Sequence, residues 1–288
     1  MNRRAFISRL ATLAFGAVAS ADNDLYKGIG GPFVGSGFTF SSKGKESYKL
    51  QDLMPTDTPS SFGKKLNIHF CFDSGAGGFY RRNLVQIKER MNVFYAKHGL
   101  SVEFFEDEKL FKGFDNFGDF GVEILKDEKS FKERKYKLTG KRATLEEHAG
   151  ASSPKQRVVI VRGDVFETVS FRQTPIKGIM AAACLNVHEI FHTAGLFHPD
   201  LFIYSPIEEN VDGLRNVMLS FGADKYPIVT SDSAIGADVT PRQINQFFEY
   251  LTGRESKNYK ALKECGFDLS LLVQRIADVN KLERRKLK

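Results

Sequence analysis

The run His188-Glu189-Ile190-Phe191-His192-Thr193-Ala194-Gly195-Leu196-Phe197-His198 sets three imidazoles, one carboxylate and one glycine at the spacing of a three-histidine metal site. Helix positions four apart share a face, so His188 and His192 can grip one ion between them. Glu189 stands beside His188 on the rim of that face, where it can hydrogen-bond a water on the metal without ligating the metal, the placement of a general base. Gly195 offers a left-handed stop three residues after His192, and the turn beyond it would bring His198 back as the third ligand. Three neutral imidazoles leave the fourth tetrahedral position to water, whereas a structural zinc site fills all four with protein. With six histidines in 288 residues, coincidence at the five positions has a chance on the order of 10⁻⁵.

These residues match HExxHxxGxxH, and the chain thereby resembles the metzincin zinc peptidases. The resemblance implies one catalytic zinc ion on His188, His192 and His198, Glu189 as the catalytic residue, and a methionine on a tight turn beneath the histidines. Met218, in Asn216-Val217-Met218-Leu219-Ser220, follows the motif by 20 residues and is the only methionine downstream of it. Gly195 and Met218 are therefore the expected structural supports of the site, with an ordinary core methionine as the other reading of Met218. Ser220 stands where some branches carry a tyrosine, so no tyrosine role is implied. Gly195-Leu196-Phe197-His198-Pro199 is reminiscent of the serralysin branch, yet the calcium-binding repeats of that branch are absent, and the branch stays open.

The start of the chain reads as an export signal. Met1-Asn2-Arg3-Arg4-Ala5-Phe6-Ile7-Ser8-Arg9 is basic, Leu10 to Val18 is apolar but too short to span a bilayer, and Ala19-Ser20-Ala21 is a small-x-small cleavage site. Arg3-Arg4 suits the twin-arginine route as well as the general secretory one. Residues 1–21 are thus a signal peptide, and the expected location is periplasmic or secreted. Its removal takes Arg3, Arg4 and Arg9 and no acid, lowering the formal charge from +7 to +4. That charge is dispersed, and the single dense basic run, Arg284-Arg285-Lys286-Leu287-Lys288, reads as a solvated end; no nucleic-acid partner is expected. The mature chain has no second apolar stretch of membrane-spanning length, so no transmembrane anchor is expected, and no oligomeric state is implied.

Cys71, Cys184 and Cys265 are too few for a disulfide-stapled secreted domain. Buried free thiols are the expectation, with a Cys71–Cys184 bridge conceivable. Residues 22–63, rich in Gly, Ser, Thr, Lys and Pro, read as a linker or pro-like extension. The zinc peptidase domain then spans residues 64–288, divided at His198 into an N-terminal subdomain (64–198) and a C-terminal one (199–288).

Within that domain Leu66-Asn67-Ile68-His69-Phe70-Cys71-Phe72 alternates as a core strand. His69 falls on its polar phase and reads as a surface or hydrogen-bonded histidine, as do His98 and His148. Ser74-Gly75-Ala76-Gly77-Gly78 is a tight strand-to-helix connection, since Tyr80 breaks the dinucleotide fingerprint. Leu84, Ile87, Met91 and Phe94 mark a backing helix stopped at Gly99. Strands follow at Leu100–Phe105, Phe120–Leu125 and Arg157–Val161, with Lys126 to His148 as a charged surface excursion and Phe166–Phe171 as an edge strand or hairpin arm. Asp238 or Thr240 can cap a helix opened by Pro241 and running through Tyr250, and a last helix starts near Asp268. The fold class expected is α+β and metzincin-like: a mixed twisted sheet with a backing helix and an active-site helix, followed by a smaller, mostly helical C-terminal subdomain.

The function expected is an exported zinc-dependent endopeptidase that hydrolyses peptide bonds in a protein or peptide substrate through a zinc-bound water activated by Glu189. The choice of a peptide bond over another amide or ester comes only from the family resemblance. Three alternatives stand beside it: a catalytically inactive zinc-binding domain serving as a periplasmic or extracellular binding module, a hydrolase of non-peptide amides, and a basic surface-binding protein.

Overall fold

The computed structural model describes residues 39–42, 46–49, 65–76, 78–140, 149–172, 174–196, 210–211, 214–218, 234–254 and 257–267. The signal segment, Phe197, His198, His148 and the helix expected near Asp268 lie outside them. Strands β1 (Thr39–Ser42) and β2 (Glu46–Lys49) pair antiparallel as a sheet of their own, within the stretch read as a linker.

The main sheet begins at β3 (Lys65–Phe72), whose alternation turns Leu66, Ile68 and Phe70 to one face and Asn67 and His69 to the other. Helix α1 (Gly78–Lys97) follows and buries Leu84, Ile87, Met91 and Phe94, the stripe its sequence spacing predicts. Strands β4 (Ser101–Asp107) and β5 (Asp119–Leu125) both run parallel to β3, with Ile68 opposite Phe104 on one side and Phe120 on the other. Helix α2 (Glu128–Thr139) is capped by Asp127 and occupies much of the charged excursion. Short β6 (Gly150–Ser153) and interior β7 (Val158–Arg162) complete a five-stranded sheet of order β4-β3-β5-β7-β6, mixed because only β6 is antiparallel.

Phe166–Phe171 is not an edge strand. These residues lie in helix α3 (Gly163–Arg172), where Phe166 enters the core against Tyr80, ring centroids 5.4 Å apart, and Glu167 accepts a hydrogen bond from the Phe79 amide at the start of α1. A short apolar run fits either period, and here the tertiary contacts decide for the helix. The sheet edge beside β7 belongs instead to β6, whose Gly-Ala-Ser-Ser sequence has no hydrophobic alternation.

Helix α4 (Pro175–Thr193) carries the zinc motif and is buried at every position from Gly178 onward. It lies against α1, α3, β6 and β7, in a core that also holds Val159 and Val161. On the opposite sheet face α2 covers Val158 and Ile160. Beyond α4 come β8 (Asn210–Val211), β9 (Leu214–Asn216) and β10 (Ala237–Asp238), a small sheet in which β9 is central. Helix α5 (Pro241–Leu251) follows with Thr240 as its cap and a reciprocal Thr240–Gln243 capping box, and α6 (Lys257–Glu264) lies beyond it. The architecture is α+β: a mixed sheet with a backing helix, an active-site helix and a largely helical C-terminal part.

The cysteines behave as expected, all three being buried free thiols, so Cys71 and Cys184 are not bridged. Among the described residues no helix is long and apolar enough to cross a membrane.

Candidate active site

Thr174 starts α4 by accepting a hydrogen bond from the Lys177 amide, with Pro175 in the first turn. At the other end Gly195 has φ +79°, its amide reaches back to His192 O, and Leu196 N bonds Phe191 O. This left-handed exit directs the Leu196 carbonyl at the His192 ring, whose Nδ1–H donates to it at 2.8 Å. The His188 ring is held in the same manner: its Nδ1–H donates to Val217 O at 2.6 Å.

A carbonyl can only accept, so both rings carry their proton on Nδ1 and present a lone pair at Nε2. The two Nε2 atoms are 3.0 Å apart, on rings nearly perpendicular to each other. Burial lowers the pKa of both rings, against the carbonyl bonds that would raise it; His192 is brought down to about 4, and His188, which also feels His192 and Arg215, lies well below the usual value. A proton shared between the rings would demand an imidazolium in this buried place. Two unprotonated nitrogens this close instead suit a cation between them, and tetrahedral zinc at its usual bond length would hold two nitrogens about 3.3 Å apart. The residues present fit a zinc ion. Among the described residues no group of three or more histidines, cysteines or carboxylates converges as a metal site, and the third expected ligand, His198, lies outside them.

Glu189 is nearly fully buried beside this pair. Burial pushes its carboxyl up to about 8, opposed by the charge of Lys135 on α2 and a hydrogen bond with Ser152 on β6. Gly150, also on β6, leaves the room that the Glu189 carboxyl takes: a Cβ there would come 3.0 Å from Oε1. Ser152, Lys135 and Gly150 were not legible from sequence, because none belongs to a motif and the edge strand itself carried no periodic signal.

Met218 is fully buried on a turn after β9, directly following Val217, whose carbonyl holds the His188 ring. That turn is built by Asn216. Its Oδ1 accepts the Met218 amide at 2.9 Å, and its Nδ2 donates to Gln243 Oε1 at 2.9 Å. His69 and His98 are hydrogen-bonded, to Asp107 and Asp238 respectively, as their polar settings suggested.

No protein-family model and no curated protein matches this chain. Among solved structures it is similar to archaemetzincin from Methanopyrus kandleri, at 12% identity and a TM-score of 0.37, covering 66% of this chain and 95% of that one. It is also similar to a zinc-dependent peptidase from Methanocorpusculum labreanum, at 13% identity and a TM-score of 0.33, covering 62% of this chain and 99% of that one. At such TM-scores the likeness says nothing of the site, which stands on its own residues.

Proposed function

We propose that this chain is an exported zinc-dependent endopeptidase of metzincin type, in which His188, His192 and His198 hold one zinc ion and Glu189 moves the proton. The observation that carries the reading is the approach of two imidazole Nε2 atoms to 3.0 Å, next in sequence to a buried carboxyl. His198 enters through the motif spacing, and export through the composition of residues 1–21. Zinc, when bound, supplies a Lewis acid that makes water nucleophilic near neutral pH and polarises the scissile carbonyl.

The protein's own part is to keep both histidines neutral by burying them, and to hold them in the Nδ1–H tautomer through Val217 O and Leu196 O. Glu189 accepts a proton at its carboxylate and returns it to the leaving amine; a carboxyl with a pKa of about 8 before any cation lowers it can do both near neutrality. The charge of Lys135 and the hydrogen bond with Ser152 both favour the ionised form of that carboxyl, against burial. The choice of a peptide bond as substrate rests on the likeness of the motif and the methionine turn to the metzincin pattern.

The test combines metal analysis of the purified protein with digestion of a proteome-derived peptide library by wild type and Glu189→Ala. One zinc ion per chain is expected in both, with cleavage lower in the variant by a factor on the order of 10² or more. Zinc binding without Glu189-dependent cleavage would instead describe a binding module. Absence of both would overturn the proposal.

A further inference from the structure

The Val217–Met218 peptide group is held at both ends. Its carbonyl accepts the His188 Nδ1–H at 2.6 Å, and its N–H donates to Asn216 Oδ1 at 2.9 Å. A peptide group is planar, so its C=O and N–H swing together, and a rotation that spoils one bond spoils the other. The preceding peptide is fixed as well, Val217 N donating to Asp238 O at 2.7 Å.

Asn216 is itself locked. The Met218 amide can only donate, which assigns Oδ1 toward it and Nδ2 toward Gln243 Oε1. Gln243 Nε2 then returns a bond to Asn216 Oδ1 at 3.2 Å, and Gln243 Oε1 also accepts the Thr240 amide at 2.9 Å. Both amides are buried, Asn216 1% and Gln243 2% exposed. Gln243 thus joins the capping box of α5 to the peptide that orients His188.

We propose that Asn216 and Gln243 are positioning residues for the metal site: their reciprocal amide pair fixes the Val217–Met218 peptide, and through it the tautomer and direction of the His188 ring. This rests on the zinc reading above. Outer partners of a metal-bound histidine set its orientation and basicity, so their loss weakens metal binding even though no ligand is touched.

The test measures zinc affinity of the full chain by chelator competition, beside thermal melts, for wild type, His188→Ala, Asn216→Ala, Gln243→Glu and Thr240→Ala. Asn216→Ala should weaken zinc binding on the order of ten-fold or more. Gln243→Glu keeps a capping-box acceptor but loses the donor toward Asn216, and should weaken zinc binding several-fold. Thr240→Ala removes the cap and lowers the melting temperature, while zinc affinity stays within about two-fold of wild type. Wild-type zinc affinity in Asn216→Ala overturns the proposal; if that variant does not fold, wild-type affinity in Gln243→Glu does so. A wild-type protein that binds zinc no better than His188→Ala overturns the zinc reading and this proposal with it.

Discussion

The backbone of Tyr259 fills the space where a side chain on Gly195 would go: a Cβ there would lie 3.1 Å from Tyr259 Cα and 3.2 Å from its amide nitrogen. Gly195 also sits at φ +79°. Two constraints therefore select glycine, one from the turn that ends α4 and one from α6 resting on that turn. Gly195→Ala should suffer left-handed strain of roughly 1–2 kcal/mol and overpacking of roughly 1–3 kcal/mol. Thermal unfolding should show a midpoint several degrees below wild type, and a variant melting within about 1 °C of it would contradict the packing described.

On the far face of the sheet Glu123, fully buried, receives Arg134 Nε and Nη2 at 2.6 Å each and the Phe111 amide at 2.7 Å. This pair ties α2 and the segment before β5 to the sheet. Arg134→Met leaves a buried carboxylate without its cation and should cost roughly 3–5 kcal/mol in denaturant titration, with much of that loss recovered in the Glu123→Leu/Arg134→Met double variant. Zinc affinity per folded molecule should not change. A single variant costing under about 1 kcal/mol would show that the pair does not carry the contact.

The elements with a strong period were legible: the alternation of β3, the stripe of α1, and the Thr240-Pro241 start of α5. So was the relation of His188, Glu189 and His192, because one helical turn fixes it. The rest was hidden for identifiable reasons. Phe166–Phe171 satisfies both periods, and only the core contact of Phe166 and the Glu167 cap on α1 choose the helix. The β6 strand carries small residues where α4 approaches it closely, at Gly150, so its sequence lacks the pattern of a strand. Asn216 reads as a turn residue and Gln243 as the third helical position after a threonine cap, but their meeting across 27 residues depends on β9 and β10 lying side by side.

Asp238 predicts the acid limb of stability. Burial raises its pKa, but hydrogen bonds from His98 and Lys97, with a third from the Val239 amide, outweigh burial and hold the carboxyl below its ordinary value. A carboxyl depressed in the folded state contributes stability above its unfolded pKa of about 4, and that contribution is lost as pH falls through the lower folded value. Wild type should therefore lose stability below about pH 4, and Asp238→Asn should be less stable at neutrality with a shallower acid limb. Parallel acid limbs in the two proteins would mean that Asp238 does not contribute.

Gly150 offers a way to disturb Glu189 without removing it. An added Cβ would come 3.0 Å from Glu189 Oε1, 3.1 Å from its Cγ and 3.2 Å from Leu185 Cδ1. These are atoms of movable side chains, so Gly150→Ala should shift the carboxyl by a few tenths of an ångström rather than break the strand. Stability should stay within about 1 kcal/mol of wild type, and zinc affinity should hold because neither histidine is touched. A proton-transfer group must be well placed to act, so kcat on a cleaved peptide should fall on the order of ten-fold. Full activity in Gly150→Ala, alongside an inactive Glu189→Ala, would mean that the carboxyl works from a position other than the one against β6.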